Sequence, residues 1–203
     1  MSSEFAAVIL AAGQGTRMRS SLPKVLHPLI GLPMYAHVTR AVLEAGVKRA
    51  VLVVGHGRER LQEDIATRRF DERVTTALQE RQLGTGDAAR AGLSGLADFG
   101  GWVLVLCGDT PLVHANLVRA LIGAAENSAG PLAMLTSHVD DPTGYGRIVR
   151  DGQGRVLRIR EHKDASDEER AIREVNPGVY AIRAPFLRDA LARLSADNAQ
   201  GEL

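Results

Sequence analysis

The tightest constraint lies in the first two dozen residues. An unbroken apolar run, Phe5 to Leu10, passes directly into Ala-Ala-Gly-Gln-Gly-Thr-Arg-Met18 and then Pro23-Lys24. Apolar residues without polar alternation read as a strand buried on both faces, and such a strand needs helices above and below a largely parallel sheet. Gly13 and Gly15 then remove the Cβ atoms that would hold a ligand away, so backbone N–H groups face a space an anion can enter. Arg17 and Lys24 set two positive charges beside that nest, which suits a polyphosphate. Taken alone, the loop is equally consistent with a glycine-rich turn carrying two solvated cations.

The spacing disfavours two familiar phosphate loops. A dinucleotide fingerprint has a third glycine where Met18 stands, and an acidic residue closing the second strand, where Val51 to Val54 instead runs into Gly55-His56. A P-loop needs Gly-Lys-Ser/Thr after four intervening residues, and that is absent.

The chain has 203 residues, 45% of them hydrophobic, enough for one good core and a small appended lobe but not two full domains. Its 25 basic and 24 acidic residues are interspersed to a formal charge of +1, which argues against a nucleic-acid field or a membrane patch. Cys107 is the single cysteine, so an internal disulfide is excluded and a buried, inert thiol is expected. No apolar run approaches the roughly 18 residues of a membrane span. The N-terminal stretch lacks the basic flank of a leader, and a cytoplasmic protein is expected.

Downstream, Met34 to Ala45 places Val38, Ala41, Val42 and Ala45 on one helical face, and Ala50 to Val54 is a second buried strand. Strand, helix and strand make a right-handed βαβ unit, which sets the first loop at a carboxyl strand end, where open α/β sheets bind ligands. Arg58 to Arg69 reads as a charged helix with Leu61 and Ile65 inward. Val74 to Leu78 leads into a second glycine loop, Gln79-Glu-Arg-Gln-Leu-Gly-Thr-Gly86, which opens a helix over Asp87 to Leu93. Its amides and carboxamides suit the edge of a pyrimidine, or simply cap the helix.

Trp102 to Leu106 is a third buried strand and ends in Cys107-Gly-Asp109. A carboxylate at that end is placed to hold a divalent cation against phosphate oxygens, or merely to turn the chain into the next helix. In that helix Leu117, Ala120, Leu121 and Ala124 form the expected buried stripe. Leu132 to Val139 reads as one further strand. A hairpin with Asp151-Gly152 at its tip and its arginines outward follows, then the acidic stretch Asp164 to Glu169. Asn176-Pro-Gly-Val-Tyr180 leads a last strand, and Pro185 to Leu194 a helix with Leu187, Ala190, Leu191 and Leu194 on one side. The six histidines never take a ligand spacing and read as structural or surface residues.

These residues carry a resemblance. Gly-x-Gly-Thr-Arg-Met followed by Pro-Lys resembles the signature of the sugar nucleotidyltransferases. The short Arg17 to Lys24 spacing is most similar to the bifunctional N-acetylglucosamine-1-phosphate uridyltransferases. Gln79 to Gly86, Gly108-Asp109, Asp141 to Arg147, Glu161-His-Lys-Asp164 and Asn198 to Glu202 resemble segments of the same family in the same order.

The resemblance implies an α/β, Rossmann-like three-layer nucleotide-diphospho-sugar transferase fold. Its sheet would be mixed and mostly parallel, with helices on both faces and a small antiparallel sugar-binding addition. Residues 1–203 would form one uridyltransferase domain, the nucleotide-binding part about 1–112 and the sugar-binding part about 113–203. It implies synthesis of UDP-N-acetylglucosamine and pyrophosphate from UTP and N-acetylglucosamine 1-phosphate, for peptidoglycan and lipopolysaccharide precursors, with Mg2+ as cofactor. Ala12, Gly13, Gly15, Thr16, Gln79, Gly84 and Thr85 would bind the nucleotide. Arg17 and Lys24 would be catalytic, Asp109 would hold the metal, and Gly146, Glu161 and Asn176 would bind the sugar phosphate.

Cys107 and Pro177 depart from the aromatic and the threonine common at those places. The family's second metal ligand, an asparagine, and its trimer-forming acetyltransferase β-helix are expected beyond Gln200-Gly-Glu-Leu203. Three alternatives stay open: a cytidylyltransferase of the isoprenoid type, a non-catalytic nucleotide-sugar binding module, and a structural domain of an assembly.

Overall fold

The computed structural model describes residues 4–13, 15, 18–70 and 72–194. The apolar runs become the centre of a six-stranded sheet: β1 (Phe5–Leu10), β4 (Arg49–Val54), β5 (Val74–Leu78) and β6 (Trp102–Cys107), parallel in the order β5-β4-β1-β6. Beyond β6 the sheet is completed by β12 (Tyr180–Arg183), antiparallel to it, and by β7 (Leu132–Met134). After β1 come a 3₁₀ turn, Lys24–Leu26, and a small hairpin of β2 (Pro28–Leu29) and β3 (Leu32–Pro33).

Alternation along β1 divides the core into two layers. Ala7 and Ile9 face α1 (Met34–Glu44), α2 (Arg58–Arg68) and α4 (Ala115–Glu126); Ala6 and Val8 face α3 (Thr85–Ser94) and α6 (Ala184–Ala192). Ala6, Ala7, Val8 and Ile9 are entirely buried, as a strand sandwiched between helices requires. Trp102 is buried against Phe5, their parallel rings 6.4 Å apart, with the Arg183 guanidinium 4.4 Å from the Trp102 ring centre. No described helix is long and apolar enough to cross a membrane.

A second, antiparallel sheet stands beside the first. It runs β10 (Val156–Arg160), β9 (Gly146–Arg150), β11 (Glu174–Asn176), β8 (Ser137–His138). Between β10 and β11 sits the one-turn α5 (Asp167–Arg170), closed by a capping box between Ser166 and Glu169.

Four expectations are corrected. The run from Leu132 to Val139 is two strands in different sheets, because β7 pairs with β12 whereas β8 pairs with β11. The buried stripe of α4 is Val118, Leu121 and Ala125 with Leu117 half-buried, while Ala120 and Ala124 face solvent. Its phase is fixed at the start, where the His114 Nδ1 accepts from the Leu117 N–H at 3.3 Å. In α6 Leu187 and Leu191 are buried, but Leu194 lies past the helix end and is 44% exposed. In the hairpin Arg150 and Arg158 do point outward, but Arg147 is only 1% exposed.

The antiparallel sheet carries an acid-sensitive clasp. Arg150 on β9 gives Nε and Nη2 to the two oxygens of Glu174 on β11, at 2.8 and 2.6 Å. That bond, and a smaller one from Thr136, pull the Glu174 carboxyl down from 4.5 to about 2. A depressed carboxyl contributes stability above its unfolded value, and the contribution is lost as pH falls through the folded one. Because Arg150 is partly exposed, we expect roughly 1–2 kcal/mol. In urea titrations between pH 5 and pH 2, Glu174→Gln should lower stability at pH 5 and converge on the wild type at pH 2; a constant difference would dismiss the clasp.

Candidate active site at the carboxyl ends of the parallel strands

The register of the central strands brings the chemistry-bearing loops to one rim. Leu10 at the end of β1 lies opposite Val53 on one side and Cys107 on the other, so the loops after β1, β4 and β6 leave the sheet together. Backbone bonds lock them to one another: Ala11 N–H to Val53 O at 3.0 Å, His56 N–H to Ala12 O at 3.2 Å, Gly108 N–H to Leu10 O at 2.8 Å. Between them opens a cavity of about 490 Å³, of the size that takes a small-molecule ligand. Ala12, Gly13, Gly15, Lys24, Gln79, Gly84, Thr85 and Asp109, the described members of the nucleotide, catalytic and metal sets, all line it.

The first loop needs glycine at position 15 for two reasons. Its φ is +65°, in the left-handed region, and a Cβ placed there would lie 2.5 Å from the Cβ of Lys24. The loop is thereby pressed against Lys24, which opens the 3₁₀ turn after Pro23. Gly15→Ala is expected to cost about 1–2 kcal/mol of stability for the left-handed backbone and to displace Lys24. Denaturation midpoint and turnover measured together check this, and an unchanged pair of values would contradict it.

Lys24 and Asp109 meet in the cavity. The Lys24 Nζ stands 2.6 Å from Asp109 Oδ2, with side chains 39% and 30% exposed. Each charge is neutralised by the other while both remain within reach of a ligand. Asp109 is held by the turn beneath it, in which the Thr110 hydroxyl donates to Cys107 O at 2.6 Å. The Cys107 thiol is pushed up to about 11, first by burial and then by the Asp109 carboxylate, so it is a neutral lining group and not a nucleophile.

The second loop forms the opposite wall. Gln79 is buried, and its Nε2 donates to Gly84 O at 3.2 Å and to Asp87 Oδ2 at 2.9 Å, which fixes the loop to the start of α3. Gln82, which the sequence reading left unassigned within this loop, donates to Ala12 O at 3.1 Å and also lines the cavity. It joins the two glycine loops into one wall. Met18 and Cys107, to which the sequence reading assigned no binding role, line the cavity as well.

Gly146 and Asn176 pair on the antiparallel sheet, with Glu161 beside Gly146 just past the end of β10, all three outside the described cavity lining. A Cβ on Gly146 would stand 2.9 Å from Glu161 Oε1, so the bare glycine is what admits the carboxylate. Asn176 pairs with Gly146 across β11 and β9 and donates to the Tyr180 hydroxyl at 2.6 Å. Tyr180 lies beside Val105 of β6, and Gly178 approaches the Cys107 thiol, so this cluster reaches the rim of the cavity. Thr16, Arg17 and the segment Asn198 to Glu202 lie outside the described residues.

Among the described residues no trio of His, Cys, Asp or Glu could cage a metal ion. Asp109 supplies the acidic group of the cavity lining. Magnesium is commonly held by one or two carboxylates together with substrate phosphates, so this donor set fits a cation arriving with a nucleotide.

Comparison with known proteins decides the family. The MobA-like NTP transferase domain matches residues 7–202. The chain belongs to this family. It is 55% identical over 200 residues to the bifunctional protein GlmU of Sorangium cellulosum, a match covering 97% of this chain and 42% of that protein. It is 50% identical over 199 residues to the bifunctional protein GlmU of Geobacter metallireducens, covering 98% of this chain and 41% of that one. The NTP transferase chain thus spans about two fifths of these relatives' length. Its fold is similar to that of a Bacillus anthracis chain assigned as a glucose-1-phosphate thymidylyltransferase and solved with sucrose. There the TM-score is 0.78 at 20% identity, over 98% of this chain and 78% of that one. The Rossmann-like α/β expectation, with helices on both faces of a mostly parallel sheet, is borne out.

Proposed function

We propose that this NTP transferase domain transfers the uridylyl group of UTP to N-acetylglucosamine 1-phosphate, giving UDP-N-acetylglucosamine and pyrophosphate. The observation that carries the proposal is the Lys24–Asp109 pair set in a nucleotide-sized cavity between two glycine loops. The strong likeness to GlmU proteins over nearly the whole chain points the same way.

A phosphate oxygen of the sugar phosphate attacks the α-phosphorus of UTP in line. The bond from that phosphorus to the bridging oxygen breaks, and pyrophosphate leaves. The nucleophile is already anionic, so no general base is needed, and the protein's work is positioning and charge neutralisation. The amides of Gly13 and Gly15 and the ammonium of Lys24 would stabilise charge on the phosphoryl oxygens, with Arg17 assigned to the leaving phosphates. Gln79, Gln82 and Thr85 would present carboxamide and hydroxyl groups to the pyrimidine, and Gly146, Glu161 and Asn176 would take the sugar phosphate. Magnesium, held on Asp109, would neutralise charge on the triphosphate. The substrates are small, anionic and water-soluble, and we place the reaction in the cytoplasm, feeding peptidoglycan and lipopolysaccharide precursors.

The test is magnesium-dependent pyrophosphate release from UTP, CTP and dTTP with N-acetylglucosamine 1-phosphate as acceptor. Preference for UTP is the expected result. Preference for CTP would make the chain a cytidylyltransferase, and UTP binding without pyrophosphate release would make it a binding module.

A further inference from the structure

Arg147 is anomalous among the described arginines. It is 1% exposed, yet no described carboxylate lies within ion-pair distance of it. A buried guanidinium without a counter-charge is held only by what its N–H groups reach. Here Nη1 donates to the Tyr145 carbonyl, and Nη2 to the Arg170 carbonyl at 3.4 Å and to His162 Nδ1 at 3.1 Å, while Nε is left without a partner. Those three partners come from three segments: the loop entering β9, the turn after β10, and the last residue of α5. Two of them adjoin the residues assigned to the sugar phosphate, since Tyr145 precedes Gly146 and His162 follows Glu161.

We propose that Arg147 and His162 form a buried positioning pair that fixes Gly146 and Glu161 in register for the sugar-phosphate acceptor. This rests on the reading of Gly146 and Glu161 as acceptor contacts. A guanidinium can only donate, so the bond at Nδ1 requires the lone pair of His162 there and leaves its proton on Nε2. The bond is therefore directional and sets how the turn carrying Glu161 meets β9. On the other side, a Cβ on Gly146 would come within 2.8 Å of Ile159 and 2.9 Å of Glu161, so there is little slack between strand and turn. Small shifts at such a contact cost binding and rate steeply. Asp141 also feels the guanidinium: its carboxyl is held below the usual range mainly by Thr143, with a smaller pull from Arg147.

The experiment compares wild type with His162→Ala, His162→Asn, His162→Gln and Arg147→Lys. Steady-state constants are measured for both substrates, and calorimetry gives affinities for UTP and UDP-N-acetylglucosamine. The Oδ1 of Asn stands at the same distance along the side chain as His Nδ1 and can accept from Arg147, whereas the Gln carboxamide is one carbon too long to reproduce that position. Alanine and glutamine should each raise KM for N-acetylglucosamine 1-phosphate about 10-fold or more, with KM and affinity for UTP unchanged. Asparagine should restore most of the loss, and Arg147→Lys, which keeps the charge but loses the fork, should resemble alanine. His162 is partly exposed, so the His162 variants are expected to fold, and they carry the test on their own. A wild type that turns over the acceptor, with variants unchanged or with both substrates' constants shifting together, overturns the pair and leaves the functional reading intact. A wild type that neither binds nor turns over the acceptor overturns both.

Discussion

Lys24→Ala is expected to lower turnover about 10²-fold or more while shifting the thermal midpoint by no more than a few degrees. The rate effect follows from removing a cation aimed at phosphoryl oxygens in a partly enclosed site, where the loss of a single transition-state donor commonly costs 10²–10³-fold. The small stability effect follows from exposure. The Lys24–Asp109 pair is more than a quarter open to solvent on both sides, and ion pairs of that kind contribute about 0–1 kcal/mol. Turnover with UTP and N-acetylglucosamine 1-phosphate, beside a thermal melt of the same sample, checks both halves. Unchanged turnover would remove Lys24 from the mechanism, and a collapsed melt would recast it as structural.

Asp109→Asn has the second large expected effect, again about 10²-fold or more in turnover, but with an opposite signature in binding. Removing the carboxylate frees Lys24 from its 2.6 Å partner and takes a negative charge out of the cavity. Metal-free UTP should then bind several-fold tighter, since one unscreened charge at this range is worth about 1 kcal/mol in water-like surroundings. The magnesium dependence of turnover should weaken at the same time. Lys24→Ala moves metal-free UTP affinity the other way. Because the two residues are in contact, the double variant should lose less than the sum of the single losses. Magnesium titrations of turnover and calorimetry without metal distinguish the cases. A titration and an affinity identical to wild type would reject the assignment of Asp109.

What the sequence made legible is whatever rests on short-range pattern. The buried runs Phe5 to Leu10, Ala50 to Val54 and Trp102 to Leu106 declare themselves by lack of alternation, and they became β1, β4 and β6. The two glycine loops announce the rim because glycine and cation spacing is local, and every described residue singled out for nucleotide, charge or metal lines one cavity. What stayed hidden depends on distant partners. Nothing between Leu132 and Val139 marks a break, since the division comes from β12 and β11 about forty residues later. Tyr180–Arg183 reads as one more strand, but its antiparallel place beside β6 is a tertiary fact.

Side-chain fate was similarly beyond local pattern. Arg147 sits in a hairpin where alternation sends arginines outward, and only the carbonyls of Tyr145 and Arg170 and the ring of His162 explain why it is inside. In α4 the alanines at 120, 124 and 125 fit either of two helical phases. The cap at His114 and the two larger residues, Val118 and Leu121, selected one. Gln82 was visible as part of a polar loop, but its bond to Ala12 required the two loops to meet.

The central claim is that the first glycine loop and Lys24 grip the phosphates of a nucleoside triphosphate. A crystal structure of this chain with UTP and magnesium tests it most directly. The account predicts the triphosphate against the amides of Gly13 and Gly15, the uracil beside Gln79 and Gln82, and the Lys24–Asp109 contact opened so that each group meets the ligand. A triphosphate bound elsewhere, with Lys24 and Asp109 still closed on each other, would contradict it.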